Sequence, residues 1–330
     1  MSQQSSHDLK MYGEIKLYAG SGSPELAQKI ADFLEQKLSP REVIQFPNEN
    51  IFIKLKSSAR GQDVYVIQTT STPVHYNLME LLIMIQTIRL DSAARITAVV
   101  PYLAYGRSDK KDQPRVPITA RLVADMIEIA GADRYMTFDP HAGQVQGFFS
   151  VPGDVLTASH MISDYIKDNL FSNMVKPVVV ATDLGFAKKG RNYALDMDVP
   201  IAFIEKRRIG NEAKAEALTL IGDVKDRDVI IVDDEVDTGG SVAQAVNVVK
   251  KHGARDVYLA FIHPIFSSDA VEKLAALPIK QIITTDTVPI PPKKMKLLEG
   301  RITILSIAPM LGEVIQRAHE GRSVGEMFNE

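Results

Sequence analysis

Residues 229–241 read V-I-I-V-D-D-E-V-D-T-G-G-S, and this stretch decides the fold. Its first four residues are apolar and β-branched, and so short a run suits a strand buried on both faces of a parallel sheet. The run ends at the carboxylates of Asp233 and Asp234, and helical spacing begins at Val242. The stretch therefore predicts a strand, an acidic edge, a loop of small residues and a helix, in that order.

The loop between this strand and this helix has the composition of a phosphate-binding loop. Gly239 and Gly240 would let the backbone approach an anion, and N–H groups at the start of the helix would donate to it. The carboxylates of Asp233 and Asp234 can accept hydrogen bonds from sugar hydroxyls. These residues predict a site for a phosphorylated sugar, and an acidic turn on an exposed loop is the alternative.

Composition limits the functions that remain open. The 330 residues are enough for two domains, and 45% hydrophobic with 24% charged residues is ordinary for a globular protein. A net charge of -3 gives no sign of a surface for nucleic acid or for a membrane. The absence of cysteine excludes disulfides and thiolate chemistry. No apolar run approaches the ~20 residues of a membrane span and no signal core begins the chain, so we expect a cytoplasmic protein that binds neither nucleic acid nor membrane.

Short apolar runs alternate with helical patterns along the rest of the chain, which favours parallel sheets joined by right-handed crossovers. Residues 131–135 lead to a strand that ends in Asp-Pro-His, and residues 253–258 lead to one that ends in His-Pro, a hint of duplication. We therefore expect two similar α/β domains, residues 13–158 and 159–330, that face each other across a cleft holding the site. Residues 1–12 are expected to be a disordered lead-in, and about the last 25 residues to pack back on the N-terminal domain.

Two element boundaries follow from capping and charge. Ser23 suits an N-cap and Pro24 the first position of a helix that we expect to run to about Leu38. A strand is expected over residues 201–205, followed by three cations and then a polar, mobile segment over residues 209–217. Together the cations and the mobile segment could form a lid over the site. Three cations on a lid suit phosphoryl transfer, in which the protein mainly neutralises the charge that develops on the phosphorus oxygens and the leaving group. Surface charge is the alternative for that run.

Two further strand ends carry candidate metal ligands. His141 ends one strand within Asp-Pro-His, and Asp183 ends another within Thr-Asp-Leu-Gly. Either side chain could be an inner or outer ligand of a Mg²⁺ ion that bridges phosphates, because this ion keeps waters and takes few protein ligands. A structural histidine and a helix-capping carboxylate are the alternatives. The chain has no G-x-x-x-x-G-K-[ST] loop, which argues against a P-loop kinase.

Longer motifs add to this pattern: N-L-M-E-L-L at residues 77–82, R-I-T-A-V-V-P-Y at 95–102, Q-V-Q-G-F-F at 144–149, K-R-R at 206–208 and I-G-D-V at 221–224. With them the chain resembles the ribose-phosphate pyrophosphokinases of the class I type over residues 16–328. The resemblance implies two tandem type I phosphoribosyltransferase-like domains, each a mostly parallel sheet flanked by helices. It also implies a transferase of nucleotide biosynthesis that uses Mg²⁺ to move the β,γ-pyrophosphoryl group of ATP to O1 of ribose 5-phosphate, giving phosphoribosyl pyrophosphate and AMP.

The resemblance assigns roles to individual residues. It assigns catalysis to Lys206 and Arg208, and Mg²⁺ binding to His141 and Asp183. The residues assigned to ribose 5-phosphate are Arg208, Asp233, Asp234, Asp237, Thr238, Gly239, Gly240 and Ser241. Those assigned to ATP are Phe46, Asn48, Glu49, Asn50, Arg107, Ser108, Asp109 and Lys110.

The resemblance also implies a homo-oligomer, with dimers assembled in a hexamer and control by ADP or phosphate. The ATP sites would lie at subunit boundaries, with the turn at residues 46–50 coming from a neighbour. The chain departs from the family at positions that bear on nucleotide choice and control. They are Asn48 and Asn50 in place of carboxylates, Ser108 in place of Gln, Phe186 in place of a loop Gly and Gly325 in place of Ser.

Two other functions remain open from the residues. A catalytically weak regulatory or associated subunit of such a synthetase would share the fold, but Lys206, Arg208, Asp233 and Asp237 are retained here, which favours an active enzyme. A true phosphoribosyltransferase shares the acidic loop. Such enzymes are usually single domains and do not need the N-terminal half found in this chain.

Overall fold

The computed structural model describes residues 12–208 and 216–328, and these divide into two α/β units. Unit 1 contains residues 12–137, 142–155 and 308–328, and unit 2 contains residues 138–141, 156–208 and 216–307. The expected lead-in lies outside the described residues up to residue 11. Each unit is built on a mostly parallel sheet flanked by helices, so the predicted fold class is confirmed.

The secondary structure alternates between strands and helices. The strands of the described residues are β1 (Ile15–Ala19), β2 (Arg41–Gln45), β3 (Ile51–Leu55), β4 (Asp63–Ile67), β5 (Arg95–Val100), β6 (Arg134–Phe138), β7 (Gly153–Leu156), β8 (Val178–Ala181), β9 (Ile201–Arg208), β10 (Glu216–Ile221), β11 (Val229–Glu235), β12 (Val257–His263), β13 (Gln281–Thr285) and β14 (Ile302–Leu305). The α-helices are α1 (Pro24–Phe33), α2 (Val74–Leu90), α3 (Thr119–Ala130), α4 (Ser159–Asn169), α5 (Ala187–Met197), α6 (Gly240–Lys251), α7 (Ala270–Ala276), α8 (Pro292–Leu297) and α9 (Ala308–Glu320). None of the described helices combines the length and the apolar character needed to cross a membrane.

The sheet of unit 1 has the strand order β1-β4-β5-β6-β7, and β1, β4, β5 and β6 pair in parallel. Every residue of β4 and of β5 is buried, as expected for strands with helices on both faces. Strands β2 and β3 form a separate antiparallel hairpin, whose tip is the turn at residues 46–50.

The sheet of unit 2 has the order β10-β9-β8-β11-β12-β13-β14, which puts β11 in the middle. Residues 229–232 are buried, and Val229 pairs in parallel with Val178 of β8 and with Val257 of β12. The predicted buried strand at the start of residues 229–241 is thus confirmed. Because β8, β11 and β12 run in the same direction, their carboxyl ends meet at one edge of the sheet.

Two predicted boundaries are wrong. Helix α1 ends at Phe33 and not near Leu38, because Glu35 has a left-handed φ of 53° that a right-handed helix cannot continue through. Strand β9 continues to Arg208, three residues past its expected end, and pairs with β10, which the sequence pattern did not indicate. Of the segment expected to be mobile, residues 209–215 lie outside the described residues, and the last two residues belong to β10.

Helix α9 packs in unit 1 through a buried ionic cluster. The Arg95 guanidinium donates to both oxygens of Asp63, at 2.7 and 2.6 Å, and to the backbone oxygen of Ala318 in α9 at 3.0 Å. His319 Nδ1 donates to the same carboxylate at 2.8 Å, and the Tyr65 hydroxyl donates to it at 3.0 Å. Since the Asp63 side chain is 0% exposed, one buried carboxylate joins β4, β5 and α9.

We predict that Asp63→Ala lowers the free energy of unfolding by about 3–5 kcal/mol, because it leaves the buried Arg95 charge without its partner. The measurement is urea unfolding followed by circular dichroism. The control is Asp125→Ala, which breaks the half-exposed pair with Arg121 in the same unit and should cost about 0.5 kcal/mol. Equal losses in the two variants would mean that the Asp63 cluster stabilises the fold no more than a surface pair does.

Candidate functional site

The carboxyl ends of β8 and β11 carry most of the residues expected to bind sugar and metal. Strand β11 extends to Glu235, so Asp233 and Asp234 lie within the strand and not after it. Because successive side chains of a strand point to opposite faces, the two adjacent carboxylates have different partners.

Asp233 is held by hydrogen bonds from two neighbours. The Thr182 hydroxyl, directly after β8, donates to Oδ2 at 2.8 Å, and the backbone N–H of Asp234 donates to Oδ1 at 2.9 Å. Burial and the adjacent Asp234 charge raise the pKa of Asp233 well above its ordinary value. These two hydrogen bonds fix the orientation of the Asp233 carboxyl group.

Asp234 is bonded to His141. The imidazole Nδ1 donates to Asp234 Oδ2 at 2.7 Å, and the Glu235 backbone N–H donates to Oδ1 at 2.9 Å. Burial raises the pKa of Asp234, but the hydrogen bond and the charge of His141 outweigh burial and lower the pKa to about 2. Asp234 is therefore ionised at neutral pH and orients the imidazole ring.

Residues 237–241 form the loop that leads from β11 into α6. Gly239 has a φ of 74°, a left-handed angle that favours glycine over residues with a side chain. The Asp237 carbonyl accepts a hydrogen bond from the Ser267 N–H at 2.9 Å, which holds one end of the loop. The exposed residues of the loop are Thr238, Gly240 and Ser241. They lie at the N-terminus of a 12-residue helix, where an anion is favoured.

Asp183 and Phe186 lie in the turn between β8 and α5. The Phe186 backbone N–H donates to Asp183 Oδ1 at 2.9 Å, so this carboxylate closes the turn before the helix. The Phe186 side chain is 7% exposed. Phe186 is therefore buried and not exposed to solvent.

Two further buried groups beside these residues have no assignment from the sequence. Asp139 Oδ2 accepts a hydrogen bond from the Ala158 N–H at 2.8 Å, and burial raises the pKa of Asp139. His263, the last residue of β12, bonds to Thr287 Oγ1 through Nδ1 at 3.0 Å, and burial lowers the pKa of His263 to about 4. Both residues lie at strand ends, Asp139 directly after β6 and His263 at the end of β12. The Asp-Pro-His and His-Pro sequences at these two ends are the signal that could have identified them.

The side chains of the two expected catalytic cations, Lys206 and Arg208, are outside the described part of the structure. Their backbone lies in β9, where Lys206 is opposite Leu218 and Arg208 is opposite Glu216 of β10. Because β9 runs parallel to β8, its carboxyl end extends past the edge at which Thr182 lies.

In unit 1, four of the expected ATP residues form the tip of the β2–β3 hairpin. The Phe46 N–H donates to the Asn50 carbonyl at 2.8 Å, and Asn48 Oδ1 accepts from the Asn50 N–H at 3.2 Å. Glu49 has a left-handed φ of 67°. The Phe46 ring is 45% exposed and lies 6.4 Å from the Phe52 ring, so the tip presents an aromatic surface.

The other four expected ATP residues, 107–110, combine exposed cations with internally bonded side chains. Arg107 and Lys110 are exposed. Ser108 Oγ accepts the first N–H of α3 at 3.3 Å, and the buried Asp109 carboxylate accepts from the Gln144 side chain. Ser108 and Asp109 thus hold the segment, and Arg107 and Lys110 give it positive charge.

A metal ion at this site would need ligands from outside the protein. No group of three or more His, Cys, Asp or Glu side chains that could hold a metal occurs among residues 12–208 and 216–328. His141 and Asp183 nevertheless fit Mg²⁺, because this ion takes most of its ligands from water and phosphate. A carboxylate behind one ring nitrogen, as Asp234 is behind His141, is also the arrangement that orients metal-bound imidazoles.

Two family models match the chain. The model for the N-terminal domain of ribose phosphate pyrophosphokinase matches residues 15–131, and the model for the phosphoribosyl synthetase-associated domain matches residues 208–329. A ribose-phosphate pyrophosphokinase of Caldanaerobacter subterraneus is 43% identical to this chain over 314 residues, which are 95% of this chain and 98% of the relative. The chain belongs to the ribose-phosphate pyrophosphokinase family.

Other members of the family are similarly close. The ribose-phosphate pyrophosphokinase of Aquifex aeolicus is 41% identical over 95% of this chain and 99% of its own length. The crystal structure of phosphoribosylpyrophosphate synthetase from Mycobacterium smegmatis is 38% identical, with a TM-score of 0.88 over 93% of this chain and 99% of that chain. The predicted family is thus confirmed, and the protein is a transferase of the diphosphokinase class that acts in nucleotide biosynthesis.

We predict that His263 makes the fold less stable as the pH falls from 6.5 to 5. The unfolded chain protonates this histidine near its ordinary pKa of 6.5, whereas the folded protein does so only near pH 4. Between those values the unfolded state binds more protons, so the free energy of unfolding falls by roughly 2 kcal/mol from pH 6.5 to pH 5. His263→Gln, which can still bond to Thr287, should remove that part of the pH dependence.

The measurement is urea unfolding of wild type and His263→Gln at several pH values. His252→Gln, at an exposed position after α6, is the control variant. A His263→Gln protein that loses stability between pH 6.5 and 5 as steeply as wild type would contradict the prediction.

Proposed function

We propose that the protein transfers the β,γ-diphosphoryl group of ATP to O1 of ribose 5-phosphate and releases phosphoribosyl pyrophosphate and AMP. One observation carries the proposal: residues 233–241 combine a carboxyl group held by Thr182 with a glycine turn that opens a 12-residue helix. One short stretch thus contains a carboxyl group that can bind sugar hydroxyls and, shortly after it, backbone N–H groups that can bind a phosphate. The family supports the same pair of substrates.

The ribose 5-phosphate site is assigned to residues 233–241 and Arg208. Asp233 and Asp234 would accept hydrogen bonds from the ribose hydroxyls, because a carboxyl group keeps an acceptor oxygen whether or not it is protonated. The 5-phosphate would bind the N–H groups of the loop, whose members are Asp237, Thr238, Gly239, Gly240 and Ser241. The positive end of the α6 dipole supports that placement.

In the proposed reaction, O1 attacks the β-phosphorus, and the bond from that phosphorus to the oxygen bridging it to the α-phosphorus breaks. The O1 proton leaves to solvent and AMP leaves with the bridging oxygen. No protein nucleophile is needed, so the protein contributes position and neutralisation of developing charge. We assign the neutralising role to Lys206 and Arg208 on β9, as cations of the lid expected from the sequence.

We propose His141 and Asp183 as the protein ligands of Mg²⁺, together with water and phosphate oxygens. When bound, the ion would neutralise charge on the ATP phosphates. The contribution of the chain is orientation: Asp234 holds the ring of His141, and the Phe186 N–H holds the carboxylate of Asp183.

The nucleotide is assigned to the hairpin tip and to residues 107–110. The exposed Phe46 ring supplies an aromatic surface for the base, and Arg107 and Lys110 supply charge for the phosphates. The full set is Phe46, Asn48, Glu49, Asn50, Arg107, Ser108, Asp109 and Lys110. An exposed hairpin tip can reach a neighbouring subunit, so we propose a homo-oligomer. From the family resemblance we further propose that it consists of dimers within a hexamer and that ADP or phosphate is its effector.

The test of the proposed function is AMP release from ATP, measured with and without ribose 5-phosphate and Mg²⁺ and at varied ADP and phosphate. We expect AMP only when ATP, ribose 5-phosphate and Mg²⁺ are all present. ADP as the product would contradict transfer of a diphosphoryl group. If a folded oligomer releases no AMP with any nucleotide tested, the result would favour the alternative, a catalytically weak regulatory subunit.

Asp233→Asn should weaken ribose 5-phosphate binding roughly 10- to 100-fold, because the amide replaces one acceptor oxygen with a donor and leaves a sugar hydroxyl without its partner, at a cost of about 1–3 kcal/mol. Calorimetric titration measures the affinity directly. Asp226→Asn makes the same chemical change at an exposed turn of unit 2 and should bind like wild type. Wild-type affinity in Asp233→Asn would remove this residue from the sugar site.

Lys206→Ala should lower kcat with little effect on ribose 5-phosphate affinity, because the contact is expected mainly in the transition state. Steady-state rates of AMP release and a calorimetric titration separate the two quantities. A variant with wild-type turnover would show that Lys206 does not act on the reacting phosphates.

A further inference from the structure

Lys188 and Lys189 are adjacent near the start of α5 but have different environments. Lys188 is exposed, whereas Lys189 is partly buried. The Lys189 ammonium donates to the backbone oxygen of Pro140 at 3.1 Å and lies 5.9 Å from the centre of the Phe186 ring. It therefore contacts the residue directly before His141 from a helix that begins four residues after Asp183.

The contact joins two chain segments that are about fifty residues apart, the segment Phe138–His141 and the turn before α5. Asp183 accepts a hydrogen bond from the Phe186 N–H in that turn, and the Lys189 ammonium lies 5.9 Å from the centre of the Phe186 ring. Lys189 thus extends from the helix that follows the Asp183 turn, and its ammonium bonds to the residue before His141. This side chain links the two segments that carry the candidate metal ligands.

We propose that Lys189 is a positioning residue that holds the segment Phe138–His141 on the Asp183 turn and so fixes the distance between the two magnesium ligands. The inference rests on the proposed function, which assigns the metal to His141 and Asp183. Lys189 itself touches neither the metal nor a substrate in this assignment. Removing a group that orients metal ligands typically weakens metal binding about 10- to 100-fold.

The experiment compares Lys189→Met, Lys189→Arg and the control Lys251→Met with wild type. Methionine keeps an unbranched side chain but removes the N–H donor and the charge, whereas arginine keeps both. Lys251 is an exposed lysine at the end of α6 in the same unit. Three quantities are measured: Mn²⁺ affinity by electron paramagnetic resonance with an uncleavable ATP analogue present, the Mg²⁺ concentration at half-maximal AMP release, and ribose 5-phosphate affinity by calorimetry.

We expect Lys189→Met to weaken Mn²⁺ binding and to raise the half-maximal Mg²⁺ concentration, each roughly tenfold, with ribose 5-phosphate affinity unchanged. Lys189→Arg should recover most of the loss, and Lys251→Met should match wild type. Mn²⁺ affinity within twofold of wild type in Lys189→Met would overturn the proposal. An equal loss of ribose 5-phosphate affinity would also overturn it, because a general distortion of unit 2 would then explain the effect.

Failure of the proposed function can be told apart from failure of the positioning role of Lys189. If wild type releases no AMP, the reaction is wrong, but the Mn²⁺ titration still compares Lys189→Met with Lys189→Arg. A tenfold difference between those two variants supports the positioning role without reference to turnover, and equal affinities reject it.

Discussion

Two adjacent carboxylates have to be accommodated at the end of a buried central strand, and the site of unit 2 is arranged around this constraint. Side chains alternate along β11, so Asp233 bonds to Thr182 and Asp234 bonds to His141. The two groups have opposite pKa shifts. Burial and the neighbouring charge raise the pKa of Asp233, whereas His141 overcomes burial and lowers that of Asp234 to about 2. One strand end thus carries a group that binds protons readily next to one that stays ionised.

The local parts of the site could be predicted from the sequence, because they depend on neighbouring residues. A run of β-branched residues, two carboxylates and a glycine at a left-handed angle are all contained in residues 229–241. The bond from His141 to Asp234 spans 93 residues, and the bond from Thr182 to Asp233 spans 51. No local pattern encodes such pairings. Thr182 meets Asp233 because β8 and β11 are neighbours in one sheet, whereas His141 follows β6 of the other sheet and meets Asp234 because residues 138–141 belong to unit 2.

The errors have the same origin. Helix α1 is expected to run to about Leu38, but it ends at Phe33, and Leu38 forms an isolated bridge with Leu17 of β1. The residues beyond Glu205 appeared to leave the sheet because they are charged. Their strand conformation depends on β10, a partner further along the chain. The effect of Phe186 in place of the loop glycine is likewise not encoded locally: the residue is buried, and its N–H donates to Asp183.

The position of α9 has a consequence for the order in which the protein can be completed. Ribosomes synthesise the chain from its N-terminus, yet unit 1 includes residues that follow all of unit 2. Residues 156–307 can therefore fold while the face of unit 1 that receives Leu311, Val314 and Ile315 is still uncovered. The part of the molecule that is made first is finished last, and until then the Asp63 carboxylate lacks its histidine partner.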